Sequence, residues 1–212
     1  MVHRAWTAWR GCFWVVHVIG RQVSGNRVAR VHLVRHGRAA AGWDSDPDPG
    51  LDDIGRVQAG ETAERLSHLD RMDIVSSPLR RCQETAAPLS HLWADRPIVI
   101  EPRVAEIPSP LGVPMSERVA WLRGVMAGRW TDLDETYRAF RRGIVTYVSG
   151  LQSDTVIVSH FIAINVVIGA CLGDDSVVID SLDNASVTVV DVDAHGGLHI
   201  VERGRQANTL IR

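Results

Sequence analysis

The stretch Val31-His32-Leu33-Val34-Arg35-His36-Gly37 decides the reading of this chain. It is an apolar run that stops abruptly at Arg-His-Gly. A second apolar run, Val156-Ile157-Val158-Ser159, also stops at a histidine, His160. Each run reads as a short buried strand whose last residue is an imidazole. In open α/β sheets the reactive crevice lies just beyond the carboxyl ends of the strands. Two histidines delivered there by separate strands, one beside an arginine, predict chemistry on an anion.

Working outward, strand-like and helix-like patterns alternate. Residues 28–35 read as a strand, and a loop rich in Asp, Pro and Gly follows over 38–50. A helix is predicted over 52–68, with Val57, Ala63 and Leu66 on its buried stripe. Residues 72–76 form a second strand. Ser77-Pro78 then reads as a helix start, serine as N-cap and proline at the first helical position, with Leu79, Cys82, Ala86 and Leu89 along one face. Residues 98–101 are a third strand, and a Pro-rich loop carries Glu106. Helices are expected over 115–127 and 132–151, a fourth strand over 155–159 and a helix to about 172. Residues 186–193 and 198–203 alternate apolar and polar across His195-Gly196-Gly197 and read as a hairpin. The pattern predicts a three-layer α/β/α sandwich with a mostly parallel central sheet.

With 212 residues, the chain has room for one domain with a sizeable core. The first part, 1–27, mixes Trp6, Trp9, Phe13 and Trp14 with arginines without clean periodicity. It is expected to be a poorly ordered extension or a start codon placed too early, in preference to an export signal. Residues 28–212 form the domain. The net charge of −2 gives no electrostatic case for nucleic acid or an anionic membrane. No apolar run approaches the roughly 18 residues of a spanning helix. All basic residues are arginine, which excludes a catalytic lysine. Cys12, Cys82 and Cys171 form no C-x-x-C pair, so neither a zinc site nor a disulfide framework is indicated. Cys82 and Cys171 read as core thiols, and a cytoplasmic location is expected.

The chemistry centres on a phosphoryl group. Arg35 stands beside His36, and Arg81 lies in the first turn of the helix that follows Ser77. A helix N-terminus favours phosphate through its free N–H groups and dipole, and arginine grips phosphate oxygens in pairs. These groups could neutralise a phosphoryl group with no metal or cofactor. A neutral imidazole is a competent nucleophile towards phosphorus near neutral pH. The departing alkoxide needs a proton, for which Glu106 is placed.

Taken as a set, these residues resemble the histidine phosphatase superfamily, the phosphoglycerate mutase-like family. The match rests on Arg35-His36-Gly37, Ser76-Ser77-Pro78-Leu79-Arg80-Arg81 with Glu84-Thr85-Ala86, the Glu106 loop, Val158-Ser159-His160, and Leu51 to Ala59. It runs over about 28–205. The resemblance implies that His36 accepts the phosphoryl group as a phosphohistidine, that Arg35, Arg81 and His160 hold the phosphate, and that Glu106 is the proton donor and later the base. Arg80 should face solvent. The chain departs from the family's pattern at Phe161, where glycine is usual, and at Arg38-Ala39-Ala40-Ala41, which lacks the usual Thr and Asn.

Other candidates have structural readings. His32 is expected to be packed or at the surface. His195 and His199 are assigned to the hairpin surface, and Arg138, Arg141 and Arg142 to solvated helix faces. Glu101, the rival acid, reads as structural. Trp43, Arg103, Arg118 and Trp121 could roof the pocket. The expected activity is metal-independent hydrolysis of a phosphomonoester on a small substrate or a phosphoprotein. Its alternatives are phosphoglycerate mutase-type transfer and a non-catalytic phosphoanion-binding or interaction domain. Neither the natural substrate nor the oligomeric state is legible.

Overall fold

The computed structural model describes residues 27–42 and 45–207. The expected N-terminal extension lies outside the described residues up to residue 26, as do Cys12 and Trp43. The elements run β1 (Arg27–Arg35), α1 (Asp53–Ser67), β2 (Asp73–Ser76), α2 (Arg80–Leu92), β3 (Ile98–Ile100), α3 (Arg118–Met126), α4 (Glu135–Ser149), β4 (Thr155–Ser159), α5 (Phe161–Leu172), β5 (Val187–Asp193) and β6 (Leu198–Glu202). No described helix is long and apolar enough to cross a membrane.

The strands form one six-stranded sheet in the order β3-β2-β4-β1-β5-β6. The first four are parallel to their neighbours, and β5 and β6 add antiparallel. The mixed character follows from the chain ending in a hairpin, which needs only a tight turn, whereas parallel neighbours need a helical crossover. The pleat divides the core. Val31, Leu33, Val75 and Ile157 face one side, with Ile144, Val148 and much of α5. Val34, Ile74, Val156 and Val158 face the other, with Ala63 and Leu66 of α1 and Cys82, Ala86 and Leu89 of α2. This alternation makes three layers and matches the sandwich read from the sequence.

Two local expectations are corrected. The buried stripe of α1 is Gly55, Ala59, Thr62, Ala63 and Leu66, while Val57 lies on the opposite, solvent-facing side. Helix α2 begins at Arg80 with Leu79 at its N-cap position, half-buried and without a side-chain cap. Ser77 is therefore not the cap, and Pro78 lies before the helix. The serine hydroxyl instead accepts from Leu79 N at 3.2 Å and from a histidine described below. By contrast α1 is capped as its sequence suggests, Asp52 Oδ1 accepting from Gly55 N at 2.7 Å.

Candidate active site

The parallel register assembles the site. Arg35 pairs with Ser159 across β1 and β4, so the next residue of each strand, His36 and His160, emerges side by side. His36 N donates to Ser159 O at 3.0 Å, and the imidazole centroids lie 5.2 Å apart with ring planes at 62°. Arg81 comes from the first turn of α2. Glu106 follows a 3-10 turn, Pro102–Val104, beyond β3. That loop is pinned to β4 because Ser159 Oγ donates to Val104 O at 2.7 Å.

Hydrogen bonds fix the proton positions. His36 Nδ1 lies 2.7 Å from Gly37 O. A carbonyl can only accept, so Nδ1 carries the proton and the lone pair is on Nε2. His160 Nδ1 lies 3.1 Å from Arg81 Nη2, a group that can only donate, so Nδ1 is the acceptor. The proton is then on Nε2, which donates to Ser77 Oγ at 2.7 Å. Each ring thus has its proton on a nitrogen anchored by a hydrogen bond, Nδ1 in His36 and Nε2 in His160.

Burial is the largest influence on the titrating groups, because it disfavours their charged forms. It holds both His36 and His160 well below the ordinary histidine value, and the neighbouring Arg81 and Arg35 guanidiniums push them down further. Both imidazoles are therefore neutral at physiological pH. Burial raises the Glu106 carboxyl, opposed by the Arg81 charge, the Ile107 N–H and the Arg35 charge. Glu106 Oε2 lies 3.8 Å from His160 Nδ1. The site thus holds two neutral imidazoles and a carboxyl that burial pushes up and two guanidiniums push back down.

Those guanidiniums are only partly committed. Arg35 Nη1 donates to Leu182 O at 2.6 Å, and its carbon lies 5.1 Å over the Phe161 ring. Arg35 Nε and Arg81 Nη1 are buried with no hydrogen-bond partner among the described residues, a costly state unless an anion answers them. Arg35, His36, Arg81, Glu106 and Phe161 line a cavity of about 470 Å³. His160 is fully buried and stands behind Arg81. The five site residues read from the sequence are thus brought together, four at the cavity wall and one backing them.

The remaining candidates fall elsewhere. Glu101 accepts from Arg103 N and pairs with Arg103 at 2.7 Å, a structural role. Arg103 stacks on Tyr147, and Trp121 packs against Tyr137. Arg118 is not among the cavity-lining residues, whereas Leu122 one turn later is. His32 is buried within β1. His199 pairs with Asp193 at 2.8 Å on the hairpin. Arg80, Arg138 and Arg142 are exposed, but Arg141 is half-buried and pairs with Asp175 at 2.6 Å, so it is not a solvated residue.

Several positions matter that sequence reasoning gave no role. Thr85 Oγ1 accepts from Gly37 N at 3.0 Å and donates to Arg81 O at 2.7 Å, tying the Arg-His-Gly turn to α2. Glu84 accepts from Leu51 N and Arg80 Nε, both at 2.7 Å. Asn184 Nδ2 donates to His36 O at 3.2 Å. Gly55 lies so close that a Cβ there would collide with the Arg38 carbonyl oxygen, so α1 can dock on the Arg-His-Gly turn only through glycine. Glu84, Thr85 and Gly55 fall within stretches that carry the family resemblance, and Thr85 stands one helical turn from Arg81, but the sequence alone assigns none of them a contact.

Comparison with known proteins places the chain in a family. A family model described as histidine phosphatase superfamily (branch 1) matches residues 31–203. A Schizosaccharomyces pombe protein named "Probable phosphatase C1687.21" is 36% identical over 81 residues, 36% of this chain and 39% of that relative. The match therefore spans well under half of the relative's length. Among solved structures, YhfR of Bacillus stearothermophilus aligns with a TM-score of 0.68 at 20% identity, covering 84% of this chain and 98% of that one. A mycobacterial glucosyl-3-phosphoglycerate phosphatase aligns at 0.67 with 19% identity, covering 84% and 99%. A phosphoserine phosphatase from Entamoeba histolytica, solved with 3-phosphoglyceric acid, aligns at 0.64 with 17% identity, covering 85% and 98%.

Proposed function

Because the chain belongs to the histidine phosphatase superfamily, we propose that it is a metal-independent phosphomonoesterase working through a phosphohistidine on His36. The observation that carries this reading is the His36 tautomer. With Nδ1–H donated to Gly37 O, the Nε2 lone pair is held ready among two buried guanidiniums.

The reaction proceeds in two balanced steps. A phosphate monoester enters with its oxygens toward Arg35 and Arg81, whose unpartnered N–H groups it satisfies. Nε2 of His36 attacks phosphorus and the P–O bond to the leaving group breaks. The Glu106 carboxyl gives its proton to the departing oxygen. Water then attacks the phosphohistidine, Glu106 takes its proton, the P–N bond breaks and inorganic phosphate leaves. The guanidiniums stabilise charge on the equatorial oxygens at both steps, a preorganised electrostatic contribution. His160, behind Arg81, accepts from its Nη2 and so holds that guanidinium in place for the phosphoryl oxygens.

The small-substrate reading suits the cavity volume of about 470 Å³, within the range of about 300–1,000 Å³ usual for small-molecule sites. Rapid-quench turnover of ³²P-labelled phenyl phosphate tests the mechanism. The wild-type protein, with or without chelator, is expected to accumulate an acid-labile, alkali-stable phosphoprotein that the His36→Ala variant does not form. Full turnover by His36→Ala would overturn the assignment.

A further inference from the structure

Beyond the phosphate end, the same cavity carries information about what the phosphate is attached to. Besides the phosphate group, its wall includes Ala39, Ala41, Pro49, Ile54, Leu122 and Phe161, all without a polar side-chain atom. Phe161 is held rigidly, because it opens α5 and lies under the Arg35 guanidinium at 5.1 Å. The charged side chains of the wall, outside the phosphate group, are each paired among the described residues. Arg38 Nε donates to Asp52 Oδ2 at 2.6 Å. Asp183 accepts from Arg205 Nε at 2.9 Å. The remaining polar side chains there, Gln58 and Asn184, are neutral amides, and each already serves the backbone of the Arg-His-Gly turn.

From this wall we infer that the leaving group is uncharged and largely apolar, an aryl or alkyl alcohol in place of a hydroxy acid or a second phosphate. The inference rests on the phosphatase reading above. A leaving group bearing a carboxylate needs a cation of its own. Arg35 and Arg81 are occupied by the phosphoryl oxygens, and Arg38 is matched by a carboxylate that also caps α1 through Gly55 N. An anion beside Arg38 therefore also faces Asp52, and the attraction to one and the repulsion from the other largely cancel. An apolar group instead removes apolar surface of the wall from water, which is favourable in proportion to the area covered.

A matched pair of substrates reads this directly. Phenyl phosphate and 4-carboxyphenyl phosphate share a ring and differ in one remote carboxylate, and 3-phosphoglycerate adds a small anionic alcohol. The expected result is kcat/KM at least tenfold higher for phenyl phosphate than for either carboxylated substrate. Leu122→Ala, which shortens the wall, is expected to raise KM for phenyl phosphate more than for 3-phosphoglycerate. Asp52→Asn, which frees Arg38, should narrow the gap between the two aryl substrates. Equal or better turnover of the carboxylated substrates by the wild-type protein would overturn this inference while leaving the phosphatase reading intact. Failure of all three substrates, with no phosphoprotein formed, would bring down both.

Discussion

Thr85→Val is the substitution that most directly tests how the nucleophile is held. Valine keeps the shape of threonine and removes the hydroxyl, which is buried and serves two backbone groups. It accepts from Gly37 N at 3.0 Å and donates to Arg81 O at 2.7 Å. The variant leaves the Gly37 N–H buried without an acceptor, and such an orphan costs about 1–3 kcal/mol. The Arg81 carbonyl lies within α2 and keeps its place in the helical ladder, so the donor side adds little. For a domain of this size about 1 kcal/mol moves the melting temperature by roughly 2–4 °C. The expected fall is therefore roughly 2–12 °C by calorimetry. Gly37 adjoins His36 and its carbonyl fixes the imidazole proton, so kcat on phenyl phosphate should fall with KM little changed. Thr85→Ser, which keeps the hydroxyl, should recover most of both losses. A Thr85→Val protein that melts and turns over like the wild type would refute the claim that this hydroxyl positions the nucleophile loop.

The remaining predictions concern protons. Glu106 must be protonated to act as acid, and burial raises its pKa. The logarithm of kcat should therefore fall on an alkaline limb that Glu106→Gln abolishes. That variant should lose about 10²–10⁴-fold in the rate of phosphoprotein formation from an alkyl phosphate, and much less in that same step from 4-nitrophenyl phosphate, whose leaving group needs no proton. Equal losses on both would argue against the acid role. Stability should also depend on pH. His36 and His160 are held neutral in the fold, below the unfolded value of about 6.5, so the unfolded chain binds more protons below that pH. Their contribution is complete above about 6.5 and is lost as pH falls toward the depressed folded values. Glu106, raised on folding, opposes this between its ordinary value and its folded one, but it is one group against two. A melting temperature at pH 5.5 equal to or above that at pH 7.5 would contradict the neutral-imidazole assignment.

The sheet, and the meeting of Arg35, His36 and His160 at one end of it, were legible in the sequence because two strong signals coincide there. Apolar runs announce the buried parallel strands, and polar residues that end such runs have no packing explanation. Ser77 was misread for a definite reason. Its local pattern with Pro78 suits a helix cap, but the hydroxyl is claimed by His160, eighty-three residues away in sequence, and α2 starts later. Val57 misled because a single apolar residue cannot show which side of a helix faces the sheet. Thr85, Asn184 and Gly55 were missed because their roles lie in contacts with the Arg-His-Gly turn, which only the folded arrangement creates. Arg141 looked like an ordinary surface charge because Asp175, its partner, lies in a loop after another helix.

The shared ladder between β1 and β4 has a practical corollary. Because the two imidazoles inherit their spacing from the register of the central strands, a fluctuation that parts those strands also dissolves the reaction centre. On the proposed reading, a form in which β1 and β4 have parted cannot turn over substrate. Residual activity during denaturation is therefore a faithful gauge of how many molecules still keep their innermost strands zipped.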